Sequence, residues 1–219
     1  CIIDGSQLAS VIRFEQDLGG IIDTTTLVTG FTITNGYAQG TFPHSDGGGI
    51  YCHSASPELR NITLTGNSAT NDGGGISCHE SNPSLIDVSI SGNLANQGAG
   101  ITLRYSSPKL VTVTIVENTA SNVGGGIVSS GSSIPNIENS LISGNTATFD
   151  GGGIYFGDNS NPVLDNVTIT NNVASQNGGG IYLTSSNPYI RNCDINNNEA
   201  VYGGGIVVIN CDSVRINDC

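Results

Sequence analysis

Helical periodicity is missing from this sequence. No window of twelve residues carries apolar side chains at the 3.6-residue spacing of an amphipathic helix, so helical bundles are excluded. Basic residues are scarce: 6 Lys and Arg stand against 18 Asp and Glu, a net charge of −12. A surface of that sign repels phosphate backbones and anionic lipid, so no nucleic acid partner is expected. The acids are scattered and form no block that would make a disordered tail; they keep a long sheet surface soluble. No apolar run approaches the roughly 20 residues of a membrane span, so no membrane insertion is expected in this segment. Gly-x-Ser-x-Gly, Cys-x-x-Cys, phosphate-loop and Gly-Gly-x-Gly-x-Asp patterns are absent as well.

What is present is a repeat. Glycine triplets begin at Gly47, Gly73, Gly98 (as Gly-Ala-Gly), Gly124, Gly151, Gly178 and Gly203. Their spacings are 26, 25, 26, 27, 27 and 25 residues. An Ile follows each triplet: Ile50, Ile76, Ile101, Ile127, Ile154, Ile181 and Ile206. Further on comes a Pro (Pro57, Pro83, Pro108, Pro135, Pro162, Pro188), and two residues later an aliphatic such as Leu59 or Ile137. An Asn column closes each copy (Asn67, Asn93, Asn118, Asn145, Asn172, Asn198), with an Ala two residues beyond. So steady a period decides the architecture.

Each copy alternates apolar and polar residues in short bursts between Gly, Pro and Asn, as in Ile62-Thr63-Leu64-Thr65. That is a strand pattern broken by tight corners. One copy cannot bury its apolar face alone, whereas stacked copies bury a continuous core. The expected fold is all-β: a right-handed parallel β-helix with three short strands per coil of 25–27 residues and rungs ~4.8 Å apart. Residues 1–219 form one domain, with irregular entry coils over 1–46, regular coils over 47–202 and a partial last coil over 203–219. The segment from Gly36 to Asp46 is longer than its equivalents and should loop out. The Gly triplets should supply corners with φ > 0 and close rung packing. The Asn column should mark a corner in the left-handed region, its amides bonding along the stack. No polar or helical cap is visible at either end, and the chain starts inside an apparent strand, so a longer chain is expected.

The stretch GGGIYCHSASPELRNITLTGNSATND, with the upstream CIIDG and GFTITNGYA, resembles the pectin-lyase-like right-handed β-helix superfamily. More narrowly it resembles the polymorphic-outer-membrane-protein-type repeats of bacterial surface proteins. That type's Gly-Gly-Ala-Ile and Phe-x-x-Asn signatures appear here as Gly-Gly-Gly-Ile and as Leu64-x-x-Asn67 or Ile90-x-x-Asn93. The resemblance implies an extracellular or cell-surface setting. It also implies that any enzymatic chemistry would be polysaccharide cleavage or epimerisation, from acids, a basic group and often Ca²⁺ on one outward face. The outward position three after the Ile gives His53, His79 and Arg104 in succession, the one basic cluster on the chain. Two neighbouring imidazoles can share a metal or act as acid and base; a solvated patch is the alternative. Tyr155 and Tyr182 share an outward column and could bind a sugar ring, or only stabilise the sheet. Asp46, Asp72 and Asp150 precede glycine triplets, but Gln97, Val123, Asn177 and Tyr202 hold the equivalent places, an irregular set for Ca²⁺.

Cys52 and Cys78 share a column in consecutive copies, as do Cys193 and Cys219. Stacked neighbours lie within disulfide range, and an oxidising compartment would permit a bridge; otherwise these cysteines fill inward slots as small apolar groups. Outward Thr and Ser columns, among them Thr32, Thr63, Ser89, Thr114 and Thr168, raise ice binding as a further reading. Loops that vary by only one or two residues build no walled cleft. The expected function is therefore structural or adhesive, with a carbohydrate or host-surface ligand and head-to-tail self-association as possible partnerships. A polysaccharide lyase is the alternative.

Overall fold

A computed structural model of the chain describes residues 1–16 and 20–219. The repeat closes into a parallel β-solenoid. Three sheets of eight strands run along it. Sheet A extends from Ile2–Asp4 to Asp194–Asn196, sheet B from Ile12–Glu15 to Ile206–Ile209, and sheet C from Leu27–Thr29 to Arg215–Asn217. Every strand pairs in parallel with its equivalent in the neighbouring coil, and the register does not slip. Ile50, Ile76, Ile101, Ile127, Ile154, Ile181 and Ile206 stand in one file. Alternation sends Ile50, Cys52, Leu59 and Leu64 of one coil into the core, where all four are fully buried. The threonines between them, such as Thr63 and Thr65, face outward.

Six consecutive coils also carry a fourth strand. It is two residues long and forms a six-stranded sheet D, from Tyr37–Ala38 to Val173–Ala174. Two residues are too few for alternation to show in the sequence. The Ala column is its inward member: Ala38, Ala69, Ala95 and Ala120, with Ala99 of the Gly-Ala-Gly triplet, form a small cluster apart from the main core.

The glycine triplet divides its labour. Gly73 turns the corner with φ +65°, whereas Gly75 is needed for space. A Cβ on Gly75 would lie 2.6 Å from the Gly100 carbonyl oxygen and 2.8 Å from Ile90 Cγ2.

The Asn column departs from expectation. Its members are not the left-handed residues. The residue before each one is: Gly66, Gly92, Glu117, Gly144, Asn171 and Asn197. The Asn side chains turn inward and build a buried ladder. Asn93 Oδ1 accepts the Asn67 backbone N–H at 2.9 Å and the Asn67 amide at 3.2 Å, and Asn93 repeats both bonds to Asn118 at 3.0 and 2.9 Å. The pattern continues through Asn145 and Asn172 to Asn198. An amide has both donors and acceptors, so one residue type can satisfy a buried corner without limit.

Between Gly36 and Asp46, Tyr37–Ala38 form a strand, residues 39–42 and 44 are exposed as a loop, and Ser45 and Asp46 are buried. The segment 39–46 folds back over the outer face of sheet B. Arg13 Nη1 donates to the Pro43 carbonyl at 3.4 Å, and the Phe42 ring centroid lies 5.6 Å from that of His79. Tyr51, an outward residue by alternation, is fully buried, as are Ser77, Thr102 and Val128 in register with it. The Arg13 guanidinium lies over the Tyr51 ring.

Candidate binding face on sheet B

The second and fourth residues of each sheet B strand point away from the core. In the fourth column, Glu15, His53, His79 and Arg104 stand in register on consecutive rungs. The sequence pointed to the last three, and the structure brings them together with an acid it missed. The His53 and His79 rings lie 5.4 Å apart at 57°. Phe42 packs against His79 from one side, and the Tyr105 ring meets it edge-on at 5.9 Å.

The cations here are already engaged. Arg104 Nε donates to Asp72 Oδ2 at 2.6 Å, and Asp72 is buried. Burial raises the Asp72 carboxyl above its ordinary range although Arg104 pulls it down. Burial likewise opposes the Arg104 charge, but its bond to Asp72 holds the guanidinium above its usual value. Arg13 is ion-paired with Glu15 and lies 4.1 Å over the Tyr51 ring. Burial pushes the Tyr51 phenol up to about 12.

The three acids weighed for calcium are bonded to neighbours in the same way. Asp46 Oδ1 accepts from Ser45 Oγ at 2.8 Å and Asn71 Nδ2 at 3.1 Å, and Asp150 Oδ1 from Asn177 Nδ2 at 2.7 Å. Among the described residues, no three His, Cys, Asp or Glu side chains come together as a metal site.

Higher on the same face, Tyr155 and Tyr182 stack with centroids 5.3 Å apart and planes at 19°. Burial raises both phenols above their usual value. Gly157, in the fourth column, makes this possible: a Cβ there would lie 2.9 Å from Tyr155 Cε1. The tyrosine ring therefore lies along the sheet, offering a flat aromatic surface next to Thr184.

With this geometry established, the chain can be compared with known proteins. A family model described as right handed beta helix region matches residues 21–149 and again 74–219. The chain belongs to the right-handed β-helix family. No curated protein and no solved structure gives a significant match.

In this right-handed β-helix all six cysteines are free thiols, so neither stacked pair is bridged in the structure. Cys52 and Cys78 stand in register and fully inside the core. The hydrogen bond with Cys78, together with burial, pushes the Cys52 thiol well above its ordinary value. Cys193 is buried, and its N–H donates to Cys219 Sγ at 3.4 Å. These cysteines act as small apolar groups and weak acceptors.

A further β-helix column escaped the sequence reading. Ala55, Ser81, Ser106 and Ser133 each stand two residues before the repeat's Pro, and their serine hydroxyls accept backbone N–H groups of the coil below at 2.9–3.1 Å. The Ser-x-Pro spacing was its signal. Its role is structural, since Ser81, Ser106 and Ser133 are buried. On sheet A the outward Thr and Ser column is interrupted by Leu141 and Asp194, which breaks the regular array an ice surface would need.

Proposed function

We propose that this chain is a secreted or surface-exposed structural and adhesive β-helix, a stiff rod that presents a binding face on sheet B and performs no catalysis. The observation that carries the reading is the unbroken register of eight rungs, locked internally by the Asn ladder. Such a coil is built for stiffness, and its corners leave little chain from which to wall a cleft. The cations beside the imidazole pair support the reading too, because each is held by its own carboxylate. The resemblance of the Gly-Gly-Gly-Ile and Ile-x-x-Asn columns to bacterial surface-protein repeats belongs to this proposal. So does head-to-tail association through exposed strand edges.

One observation favours a second reading. His53 and His79 lie side by side on an outward face, as an acid and base for polysaccharide cleavage would. The two readings part in one experiment. Polygalacturonate and alginate are incubated with the protein, with and without Ca²⁺, and products are followed by ultraviolet absorbance and reducing-end release. No turnover is expected. In parallel, retention on immobilised polysaccharide should fall when Tyr155 and Tyr182 are both replaced by Ala. Turnover that disappears in His53→Ala or His79→Ala would sink the structural reading.

A further inference from the structure

The charged residues are unevenly shared among the faces of the rod. Sheet C carries Arg60, Lys109, Arg191 and Arg215, four of the six basic residues, at outward positions. Its strands hold only three of the 18 acids: Glu58, Glu138 and Asp165. The rest of the chain sets Arg13 and Arg104 against the other 15 acids. Those two guanidiniums are engaged on sheet B by Glu15 and Asp72. A second molecule of this acidic chain is therefore repelled by the rest of the surface and least by sheet C.

Sheet C is also the more apolar of the outward faces. Between its charges lie Ile86, Val111, Val163 and Tyr189, all half-buried, and the exposed Leu27. On sheet A most of the same positions hold Thr or Ser. The ion pairs of sheet C lie on the solvent side. Arg60 Nη2 is 2.7 Å from Glu58 Oε1, Arg191 Nη2 is 2.7 Å from Asp165 Oδ2, and Lys109 Nζ is 4.0 Å from Glu138 Oε2. Single pairs of this kind are weak and readily take a second partner.

The pattern is self-complementary. A two-fold axis along the rod sets two sheets C face to face, each rung against the same rung of the other copy. The first outward residue of a strand then faces the third. Glu58 meets Arg60 of the second copy and Arg60 meets its Glu58, so four charges alternate in one cluster. The Lys109 stem covers Val111 of the second copy, one rung from its Glu138. Tyr189 meets Arg191 of the second copy as it meets its own, which lies 5.5 Å from the ring. Eight strands of three residues give a face of roughly 350–400 Å² per copy. Two such faces bury less than the roughly 1,200 Å² of a standard interface, so the contact is transient.

We infer that sheet C is a self-association face, on which a second copy of this chain docks side by side in a parallel, two-fold pair. This goes beyond the reading of sheet B as a binding face, and it is separate from contact through strand edges at the ends of the rod.

The test joins sedimentation velocity over rising concentration to zero-length carbodiimide crosslinking of an equal mixture of light and heavy-nitrogen-labelled protein. Lys109 is the one lysine of the chain, so its crosslinks report what its amine meets. A reversible dimer should appear at the highest concentrations, and Lys109–Glu138 crosslinks should join light chains to heavy ones. Arg60→Glu puts four acids together and should weaken the dimer at least about tenfold. Lys109→Glu, at a more exposed site, should weaken it too and carries the test if circular dichroism shows Arg60→Glu misfolded. Adding Glu58→Arg to Arg60→Glu recreates the alternation and should restore association. Thr63→Glu with Thr114→Glu lowers the net charge as much, but on sheet A, and should leave the dimer intact. A monomer at every concentration overturns the inference, as do crosslinks confined to single chains. So does a folded Arg60→Glu that dimerises as the wild type does, or a folded charge-swapped pair that stays monomeric. Loss of the dimer in the sheet A variant overturns it by showing that net charge alone governs contact. Oligomers that grow beyond two and persist in Arg60→Glu overturn it as well, and assign the contact to the rod ends.

Discussion

Asn118 shows how much a single side chain does inside this stack. Its Oδ1 accepts two bonds from Asn93, and its amide donates to the Ile90 carbonyl and to Asn145 Oδ1. Asn118→Ala leaves two buried donors of Asn93 without an acceptor, and each such orphan costs about 1–3 kcal/mol. A loss of about 3 kcal/mol or more is expected in urea unfolding, against under about 0.5 kcal/mol for Asn96→Ala, whose amide bond to Ser121 is exposed. Arg104 makes a different case, because its worth depends on pH. Arg104→Met leaves the buried Asp72 carboxylate alone, which should cost about 1.5–3 kcal/mol at pH 7. Burial already holds the Asp72 carboxyl above its ordinary 3.8, and losing Arg104 moves it higher still. The folded variant then keeps a proton that the unfolded chain releases, so its stability falls as pH rises above that ordinary value. Urea midpoints of variant and wild type should therefore nearly agree near pH 4 and separate by pH 7. A deficit that is equal at both pH values would show that Arg104 matters only through packing.

At the scale of the element, the corners decide the coil. The four corners of a coil each use a left-handed residue, and only some of these are glycine: Glu80, Asp87, Gly92 and Gly98 serve one turn in succession. Two substitutions should move stability in opposite directions. Gly75→Ala drives a methyl into the Gly100 carbonyl and the Ile90 side chain, both part of the packed stack. Overpacking of this kind costs about 1–3 kcal/mol, and a backbone obstacle puts Gly75 at the upper end. Thr112 is a β-branched residue at φ +56°. Relief of about 1–2 kcal/mol of left-handed strain in Thr112→Gly exceeds the roughly 0.5–1 kcal/mol entropic cost of glycine. A gain of about 0.5–1 kcal/mol in thermal or urea unfolding is expected. Thr112→Gly melting below wild type would show that its side chain contributes more than its backbone costs.

For the molecule as a whole, stability should follow a one-dimensional stack, in which each coil leans only on its neighbours. Burial is complete through the middle: Ile76, Ile127 and Ile181 are fully enclosed, whereas Ile2 and Ile216 at the two ends are exposed. Amide hydrogen exchange on residues 1–219 should protect the strands from Ile76–His79 to Ile154–Phe156 longest. Ile2–Asp4, Asp194–Asn196 and Arg215–Asn217 should exchange first. Uniform protection along the chain would instead mean that the coils unfold as one cooperative unit.

The coil was legible in the sequence because a stack repeats its demands. Every rung asks for Ile at the same inward slot, so Ile50 to Ile206 spell the fold and the register in advance. The close neighbours His53 and His79, and Tyr155 and Tyr182, were legible for the same reason, since residues one period apart must meet. Features that arise only once carry no period to read. The return of segment 39–46 to Arg13 and His79, the bond from Arg104 back to Asp72, and the pairing of Arg13 with Glu15 come from segments outside the repeat or from side chains reaching between rungs. Sheet D stayed hidden for another reason: its strands are two residues long, shorter than the alternation that would announce them. The sequence by itself determined the rod, because rung-to-rung packing is periodic. Tertiary structure alone decided how segment 39–46 lies against sheet B, because a segment that occurs once has no period to read.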